Sequence, residues 1–260
     1  MDLREKVCVV TGGALGIGRC LARAFAKLGA KVAFLDMDKQ AGERALAQLR
    51  EMGADALFFH GDAAQEQALR DFAEQIRQAY GGVDVLVNNA CLTRRGILSG
   101  CSYEEFNYVL RVGVSAPYLL TSLLLPLFRP GASVVNLSST RAFQSQADTE
   151  SYTAAKGGVT ALTHALAVSL KGRVRVNAIA PGWIDTGAEH QEGYAPAYTA
   201  ADRLQHPSAR VGAPEDIARA VLFLCDPKND FINGHTLTVD GGMSKLMVYT
   251  DDEGWRYQPQ

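Results

Sequence analysis

A tyrosine and a lysine lie one helical turn apart in the segment ESYTAAKGGV, at Tyr152 and Lys156. Residues at positions i and i+4 share one face of a helix, so the phenol and the ammonium group can lie side by side. A cation beside a phenol favours the phenolate and would make the tyrosine an acid/base group. Solvated helix faces often produce the same spacing, so the pair indicates a catalytic site only together with other residues.

A glycine-rich segment, VVTGGALGIGR, joins a strand-like run to the first helical pattern. Its glycines are Gly12, Gly16 and Gly18, which is not the G-x-G-x-x-G spacing of the common dinucleotide fingerprint. The physical logic is the same, because glycine permits a tight turn and a helix N-terminus offers N–H groups to a pyrophosphate. We therefore expect this turn, including Leu15 and Ile17, to bind a dinucleotide.

Two aspartates end the next two strand-like runs. Asp36 follows the glycine turn at the distance typical of an acid that accepts hydrogen bonds from the adenosine ribose and repels a 2′-phosphate. The turn also contains no arginine that would attract such a phosphate. These features favour NAD over NADP as the cofactor. Asp62, followed by Ala63, ends the third run, where it could bond the adenine amine.

Seven short β-branched runs alternate with helical patterns along the chain. They are KVCVVTGG, KVAFLD, ALFFHGD, VDVLVNNA, ASVVNLSS, RVRVNAIAP and HTLTVDGG. Because these runs lack strict polar alternation, we expect strands that are buried on both faces, as in a parallel sheet covered by helices. The alternation predicts an α/β fold with a doubly wound, seven-stranded parallel sheet and a ligand crevice at the carboxyl ends of the strands.

No linker, repeat or low-complexity segment divides the chain, so we expect a single domain over residues 1–243. The segment 188–212 is long and polar, which predicts a mobile substrate lid over the crevice. The tail, residues 244–260, carries Trp255 and Tyr257. It is either a frayed terminus or a segment that docks on the body or on a neighbouring subunit.

The composition is that of a globular protein without a charged partner surface. The chain has 260 residues, a formal net charge of −2 and 47% hydrophobic residues, which argues against nucleic acid or an anionic membrane as a partner. It has no signal-peptide pattern and no apolar run long enough to cross a bilayer, so we expect a cytoplasmic protein. Its five cysteines and five histidines show no metal-ligand spacing, and we expect no metal site.

Five motifs occur together in one order, and they carry a family resemblance. They are TGGALGIG (Thr11–Gly18), NNA (Asn88–Ala90), NLSS (Asn136–Ser139), YTAAK (Tyr152–Lys156) and PGWIDT (Pro181–Thr186). In order and spacing the chain resembles the short-chain dehydrogenase/reductase family to about residue 243. The resemblance implies a Rossmann-type fold and hydride transfer between a nicotinamide cofactor and a carbinol or carbonyl carbon.

The resemblance also implies roles for individual residues. Tyr152 matches the acid/base that takes the alcohol proton, and Lys156 matches the residue that stabilises its phenolate and bonds the nicotinamide ribose. Ser139 matches the donor that positions and polarises the substrate oxygen. The further cofactor contacts that it implies are Asn89 and Ala90 at the adenosine ribose and Ile184 and Thr186 at the nicotinamide carboxamide.

Two positions depart from the family's motifs. Cys91 replaces the glycine of the usual NNAG, and we expect a packing variant. Gly113 occupies the position of an asparagine that helps to hold a proton-relay water, so a relay would need a backbone carbonyl, a water or another residue. Arg111 is a candidate, although it should point away from that helix face. An asparagine restored at Gly113 should preserve or raise the rate if the site needs a relay group.

The loop between the serine and the tyrosine is unusually polar. It lacks the family's frequent small-residue turn and carries Arg141, Gln144 and Glu150. This composition hints at a hydroxylated or charged substrate, although a solvated loop would have the same composition.

We predict an NAD-dependent oxidoreductase that interconverts a secondary alcohol and a ketone. One alternative is an NADPH-dependent 3-oxoacyl-type ketoreductase, which Asp36 argues against. Another is a non-catalytic dinucleotide-binding protein of the same fold. The resemblance further suggests a homotetramer, or a dimer, built through the helix that carries Tyr152 and the last strand.

Overall fold

Seven strands form one sheet in the computed structural model of the chain, which describes residues 2–247. All neighbouring strands pair in parallel, in the order β3-β2-β1-β4-β5-β6-β7. The doubly wound, seven-stranded parallel sheet predicted from the sequence is therefore confirmed. The strands are β1 (Val7–Thr11), β2 (Lys31–Asp36), β3 (Ala56–His60), β4 (Val83–Asn88), β5 (Phe128–Leu137), β6 (Arg175–Pro181) and β7 (Thr236–Val239).

The inner strands are apolar because helices cover both faces of the sheet. Every residue of β1 and β4 is buried, and so is the second half of β5. The edge strands differ, since β3 and β7 are half-exposed along most of their length. The expectation of strands buried on both faces is thus correct for the centre of the sheet and wrong at its two edges.

The helices lie in two layers. One apolar core unites α1, α2 and α9 with one face of the sheet, and a second unites α3, α5 and the end of α6 with the other. Each of the first six strands is followed by helical structure that leads back to the sheet, which is the doubly wound arrangement. The helices are α1 (Gly16–Lys27), α2 (Lys39–Glu51), α3 (Glu66–Tyr80), α4 (Tyr103–Leu110), α5 (Ala116–Leu124), α6 (Glu150–Ser169), α7 (Gly187–His190), α8 (Ala200–Leu204) and α9 (Pro214–Cys225).

The first helix shows how the sequence pattern produces an element. Leu21 and Phe25 lie one turn apart on α1 and are completely buried against the sheet. The helix ends where Gly29 adopts a left-handed φ of +84°, which a residue with a side chain rarely adopts.

The strand order reverses between β1 and β4, and the reversal creates the crevice. From β1 the chain winds outward to β2 and β3, and α3 then carries it back across to β4 on the other side of β1. Neighbouring crossovers diverge at such a point, so a cleft opens beyond the carboxyl ends of the two strands. The glycine turn follows β1, and the NNA segment follows β4.

One helical run in the described part of the chain, residues 103–127, is long and apolar enough to cross a membrane by length and composition. Packing accounts for its apolar character, because Val109, Leu120 and Leu124 are completely buried in the fold. The run is interrupted by a π-helical segment at Arg111–Ser115.

The tail begins with a short 3₁₀ turn at Met243–Lys245. Trp255 and Tyr257 lie outside the described residues.

Candidate active site

The glycine turn between β1 and α1 has the geometry of an anion cradle. Gly12 and Gly16 have left-handed φ angles of +65° and +56°, which glycine adopts without steric cost. A Cβ on Gly18 would lie 1.9 Å from the carbonyl oxygen of Gly12, so only glycine lets the helix and the turn pack this closely. No side chain caps α1 at Leu15, which leaves its first N–H groups available to an anion. The half-buried side chains of Leu15 and Ile17 anchor the turn in the core.

Two carboxylates lie at the carboxyl ends of β2 and β3, where the sequence predicts the adenosine of a dinucleotide. Asp36 at the end of β2 accepts the N–H of Ala14 at 3.0 Å, which places its carboxylate against the glycine turn. Asp62, just after β3, accepts the hydroxyl of Tyr108 at 3.0 Å. Burial and this bond to an ionised carboxylate raise the pKa of Tyr108, so the phenol remains a donor. Both carboxylates keep lone pairs for further donors, and Ala63 is buried beside them.

Asn89 braces the glycine turn. Its side-chain amide donates to the carbonyl oxygens of Thr11 and Gly12, both at 3.0 Å. The Thr11 hydroxyl in turn accepts the N–H groups of Asn89 and Ala90, again at 3.0 Å. The resemblance placed Asn89 and Ala90 at the ribose but did not reveal this brace, which depends on the pairing of β1 with β4.

Ser139, Tyr152 and Lys156 meet beyond the end of β5. Ser139 and Tyr152 line the same cavity, and the Lys156 Nζ lies 5.4 Å from the centroid of the Tyr152 ring. Lys156 is only 4% exposed, and its Nζ donates to the carbonyl oxygen of Leu137 at 2.6 Å. The structure therefore brings together the three residues for which the resemblance implied a catalytic role.

A chain of buried polar groups beneath these residues ties α6 to the sheet. Asn88 on β4 donates to the side chain of Asn136 on β5 at 2.8 Å, and Asn136 donates to the Thr163 hydroxyl on α6 at 2.9 Å. The Ser138 hydroxyl lies 2.6 Å from that of Thr160. Ser138 thus bonds α6, and Ser139 is the serine of this pair that lines the cavity. Sequence reasoning missed Thr160 and Thr163, although both follow Lys156 at helical spacing.

A cavity of about 890 Å³ opens beside Tyr152. Most of its lining residues have polar side chains, and they combine the 139–152 loop with residues from four other segments. Of these segments, sequence reasoning had assigned Ile184 and the 188–212 segment to the site, but not Thr93 or Met243. The lining residues are Thr93, Ser139, Thr140, Arg141, Gln144, Ser145, Gln146, Thr149, Tyr152, Gly182, Trp183, Ile184, Gln205 and Met243.

The predicted substrate residues separate in the structure. Arg141 and Gln144 line the cavity. Glu150 does not, because its carboxylate accepts the N–H of Ile97 at 3.0 Å and fixes the loop that precedes α4. The neighbouring Asp148 accepts the N–H of Leu98 at 2.8 Å in the same way. Glu150 therefore stabilises the loop before α4 and does not line the cavity, so the prediction of a substrate contact for it is dropped.

Ile184 and Thr186 lie where β6 leads into the predicted lid. Ile184 lines the cavity and pairs with Gly212 in a short parallel bridge. A Cβ on Gly16 would lie 3.7 Å from the Cβ of Thr186, so Thr186 faces the glycine turn. The segment 188–212 thus leaves and rejoins the body at one point, and it contributes Gln205 to the cavity wall.

Hydrogen bonds to Asp185 hold the first part of this segment. The hydroxyls of Tyr194 and Tyr198 both donate to the Asp185 Oδ2. Burial opposes ionisation of Asp185, but the bonds from Tyr198, from the Gly187 N–H and from Tyr194 outweigh it and hold its pKa below the usual value. Burial and the bond to this carboxylate raise the pKa of Tyr198 to about 12, so both tyrosines act as donors.

A buried ion pair joins the same segment to α1. Glu189 accepts from the Arg23 guanidinium at 2.9 Å and lies 3.6 Å from that of Arg19. Cys20 and Glu215 lie near enough to form a metal-like cluster with Glu189. The two arginines already neutralise Glu189, and burial, with the charges of Glu215 and Glu189, raises the pKa of Cys20 to about 12. The donor set is therefore that of an ion pair beside a protonated thiol, not that of a metal site.

Gly113 lies in the π-helical segment and packs directly against α6. A Cβ at this position would lie 2.8 Å from the Cβ of Ala155 and 3.9 Å from the Cys91 Sγ. Glycine therefore permits a close approach between this segment and the helix that carries Tyr152. Arg111 points away and pairs with Glu104, so it does not replace the missing amide. Cys91 is half-buried beside Gly113, in keeping with a packing role.

The comparisons with known proteins agree on one family. A family model described as enoyl-(acyl carrier protein) reductase matches residues 12–244. An uncharacterized oxidoreductase of Thermotoga maritima is 42% identical, over 96% of this chain and 100% of the relative. A 3-oxoacyl-[acyl-carrier-protein] reductase of Thermotoga maritima is 31% identical, over 94% and 99%. A 5-keto-D-gluconate 5-reductase of Escherichia coli is 32% identical, over 93% and 96%.

Solved structures show the same likeness. An apo SCOR enzyme from Clostridium thermocellum is similar with a TM-score of 0.85 and 43% identity, over 100% of both chains. A blue fluorescent protein from a metagenomic library, in complex with NADPH, is similar with a TM-score of 0.84 and 29% identity, over 94% of this chain and 99% of that one.

The fold, the three residues at the end of β5 and these likenesses define the class: the chain belongs to the short-chain dehydrogenase/reductase family. It is an oxidoreductase of small molecules, and its family binds a nicotinamide dinucleotide. The residues present fit such a cofactor. The glycine turn has no Cβ atoms in the way of a pyrophosphate, and the uncapped N-terminus of α1 offers free N–H groups to it. The carboxylates that follow β2 and β3 suit the hydroxyl and amino groups of an adenosine.

The packing of Gly113 leads to a prediction about stability. Gly113→Ala should lower the free energy of unfolding by about 1–3 kcal/mol, because the new Cβ would lie 2.8 Å from the Cβ of Ala155, too close for two methyl groups. Gly113→Asn should lose stability and activity together. Urea unfolding monitored by circular dichroism measures the first effect, and initial rates measure the second.

Two companion variants test the cause. At Gly157, also on α6, a Cβ would meet nothing within 4 Å, so Gly157→Ala should stabilise the protein by about 0.5–1 kcal/mol. Adding Ala155→Gly to Gly113→Ala should recover part of the lost stability by removing the opposing methyl group, less the cost of about 0.5–1 kcal/mol for a glycine inside a helix. A Gly113→Asn variant that is as stable as the parent and faster would show that the site lacks only a relay group.

Proposed function

We propose that the protein is an NAD-dependent oxidoreductase that interconverts a secondary alcohol and a ketone by hydride transfer. One observation carries the proposal: Ser139 and Tyr152 line one cavity, with the buried ammonium of Lys156 beside the phenol ring. A hydroxyl donor, a phenol and a cation around one cavity suit an alcohol oxygen that must lose or gain a proton.

The roles of the three residues follow from their surroundings. The nicotinamide, when bound, accepts a hydride from the carbinol carbon or returns it to the carbonyl carbon. In oxidation the Tyr152 phenolate takes the hydroxyl proton, and in reduction the phenol returns it to the alkoxide. The Ser139 hydroxyl bonds the same oxygen and stabilises its developing charge. Lys156 commits one donor to the carbonyl oxygen of Leu137 and keeps the others for the cofactor ribose.

The preference for NAD rests on Asp36. Its carboxylate lies against the glycine turn, where it suits ribose hydroxyls and repels a 2′-phosphate, and residues 12–18 include no cation to offset that repulsion. The similarity to a protein in complex with NADPH and to a 3-oxoacyl reductase supports the alternative of an NADPH-dependent ketoreductase. We favour NAD because a carboxylate lies against the glycine turn and residues 12–18 carry no cation that would bind a phosphate.

A non-catalytic role has less support. A protein that only binds a dinucleotide gains nothing from the buried Lys156 beside Tyr152, which lines a cavity of about 890 Å³. The relatives include a 5-keto-D-gluconate 5-reductase and 3-oxoacyl reductases at comparable identity. The many polar side chains in the cavity wall favour a hydroxylated ketone over an acyl thioester.

We also propose a cytoplasmic homotetramer, or a dimer, built through α6 and β7. Val168 on α6 is 77% exposed and Phe231, just before β7, is fully exposed. Apolar side chains so exposed on two adjoining elements suit a subunit interface. Sedimentation velocity measures the assembly, and a monomer would contradict the proposal.

Replacement of the acid/base tests the proposed reaction. Tyr152→Phe should lower kcat by at least about 100-fold, because the phenol carries the proton. NADH affinity, measured by fluorescence titration, should change little. Tyr103→Phe is the matched control, since Tyr103 is 84% exposed and lies outside the cavity. Substantial activity in Tyr152→Phe would contradict the assigned role.

The charge of Asp36 can be removed while its shape is kept. Asp36→Asn retains an oxygen acceptor for the Ala14 N–H but no longer repels a 2′-phosphate. The ratio of kcat/KM with NADPH to kcat/KM with NADH should rise about 10-fold or more, since juxtaposed like charges cost several kcal/mol and about 1.4 kcal/mol is tenfold. A parent enzyme that already prefers NADPH would overturn the proposed cofactor.

A further inference from the structure

Arg141 places a positive charge in a cavity wall that is otherwise neutral. Among the described residues that line the cavity, it is the only one with an ionised side chain. No carboxylate in residues 2–247 lies within 4.0 Å of its guanidinium. Its hydrogen-bond partner is the neutral amide oxygen of Gln146. A guanidinium in a concave site without a counter-ion attracts an anion from solution.

The charge lies beside the reacting centre. The Arg141 Cζ is 5.9 Å from the centroid of the Tyr152 ring. The Arg141 backbone N–H donates to the Ser139 hydroxyl at 3.1 Å, within a 3₁₀ turn at Thr140–Ala142. The backbone that orients the substrate-facing serine therefore also fixes the start of the arginine side chain. An anionic group bound by this guanidinium would belong to the same small molecule as the reacting carbon.

The rest of the polar wall suits hydroxyl groups. Gln144 and Gln205 present amides, and Ser145 and Thr149 present hydroxyls. Amides and hydroxyls both donate and accept hydrogen bonds, as a polyol requires. A single guanidinium matches the fork of one carboxylate, whereas a phosphate dianion would leave charge uncompensated in a wall without a second cation.

We propose that the substrate is a polyhydroxylated carboxylic acid and its keto form, with the carboxylate held by Arg141. This inference rests on the proposed alcohol–ketone function. In oxidation the carbinol C–H bond gives a hydride to the cofactor and the O–H proton goes to Tyr152. The carboxylate is unchanged, and it orients the chain of hydroxyl groups along the cavity.

A three-compound panel with the full-length enzyme and NAD tests the anion. D-gluconate should give a higher kcat/KM than sorbitol, which has the hydroxyls without the carboxylate, and than 6-phospho-D-gluconate. Arg141→Gln should raise the KM for D-gluconate about 10- to 100-fold, the loss expected for a charge-assisted hydrogen-bond pair. The KM for sorbitol should stay unchanged. Arg44→Gln, an exposed arginine on α2, is the control.

Chemical rescue separates recognition from structure. Guanidinium ion added to Arg141→Ala should restore part of the activity on D-gluconate and none on sorbitol. An equal loss of activity on D-gluconate and sorbitol in the Arg141 variants would contradict the proposed binding of a carboxylate by Arg141. So would a higher kcat/KM of the parent enzyme for sorbitol. If the phosphorylated acid is preferred, the anion is a phosphate and the proposal is wrong.

Binding distinguishes failure of this inference from failure of the proposed function. D-gluconate that binds the NADH complex through Arg141 but is not oxidised would refute the alcohol dehydrogenase and support the anion site. Turnover of sorbitol without any binding of D-gluconate would support the alcohol dehydrogenase and refute the anion site. Absence of both would refute both.

A second inference concerns His190, which sequence reasoning left unassigned. His190 is the last residue of α7, and its Nε2 lies 3.4 Å from the position of a Cβ on Gly16, the first residue of α1. The imidazole therefore stands over the uncapped helix N-terminus where the glycine turn would receive a pyrophosphate.

The short helix that carries the imidazole is held by its neighbours. The adjacent Glu189 is buried and paired with Arg23, and its carbonyl oxygen accepts from Arg19 at 2.9 Å. At the other end of α7, a Cβ on Gly187 would lie 2.3 Å from the ring of Tyr194. The helix backbone is thus held between α1 and the tyrosine. The His190 side chain is exposed, with its Nε2 next to the glycine turn.

We infer that His190 donates a hydrogen bond from Nε2 to the cofactor diphosphate. His190→Ala should weaken the binding of ADP-ribose and of NADH about 5- to 10-fold, the loss of one hydrogen bond to a charged group. The affinity for adenosine, which has no phosphate, should stay unchanged. Calorimetric titration of the enzyme without substrate measures all three affinities.

The control is His235→Ala, because that imidazole is exposed at the start of β7 and far from the turn in sequence and topology. Unchanged ADP-ribose affinity in His190→Ala would overturn the contact. A gain in affinity would also overturn it, since it would mean that the imidazole competes for the diphosphate position. An equal loss for adenosine would indicate a general disturbance of the fold.

Discussion

The active site depends on how one buried ammonium group holds helix α6 against strand β5. Lys156 is 4% exposed and donates to the carbonyl oxygen of Leu137 at 2.6 Å. Burial of an ammonium group is costly unless hydrogen bonds compensate it, so α6 is stable in the one register that lets Nζ reach the end of the strand. That register places Tyr152, one turn earlier, beside Ser139. The buried bonds from Asn136 and Ser138 to threonines of α6 support the same position.

The glycine at position 113 follows from this anchoring. With α6 held by polar bonds on its sheet side, the π-helical segment that packs on its other flank must accommodate Ala155. Glycine lets the two backbones approach, and Cys91 fills the neighbouring space. Close packing therefore takes the place of a side-chain amide at this position. Under the proposed reaction, a proton that leaves Tyr152 reaches solvent through groups other than an asparagine here.

Charge is distributed unevenly along the crevice. Asp36 and Asp62 follow β2 and β3 on one side of the crevice, an uncapped helix N-terminus lies beside the glycine turn, and Arg141 lines the cavity next to Tyr152. Under the proposed function, these groups face ribose hydroxyls, a diphosphate and a carboxylate. Hydrogen bonds and an ion pair hold the 188–212 segment against the body, since Glu189 pairs with Arg23 of α1 and two tyrosines of the segment donate to Asp185.

Local pattern alone determined the seven strands, the turn glycines and the order of the motifs, because burial and backbone conformation leave a direct trace in residue type. The i, i+4 spacing was likewise enough to pair Tyr152 with Lys156. Only tertiary structure decided which polar residues face the cavity. Glu150 and Arg141 are both charged residues of one loop, yet Glu150 bonds the Ile97 amide and Arg141 lines the cavity. Such choices depend on contacts between segments far apart in sequence, as do the approach of Gly113 to Ala155 and of His190 to Gly16, and no local pattern encodes them.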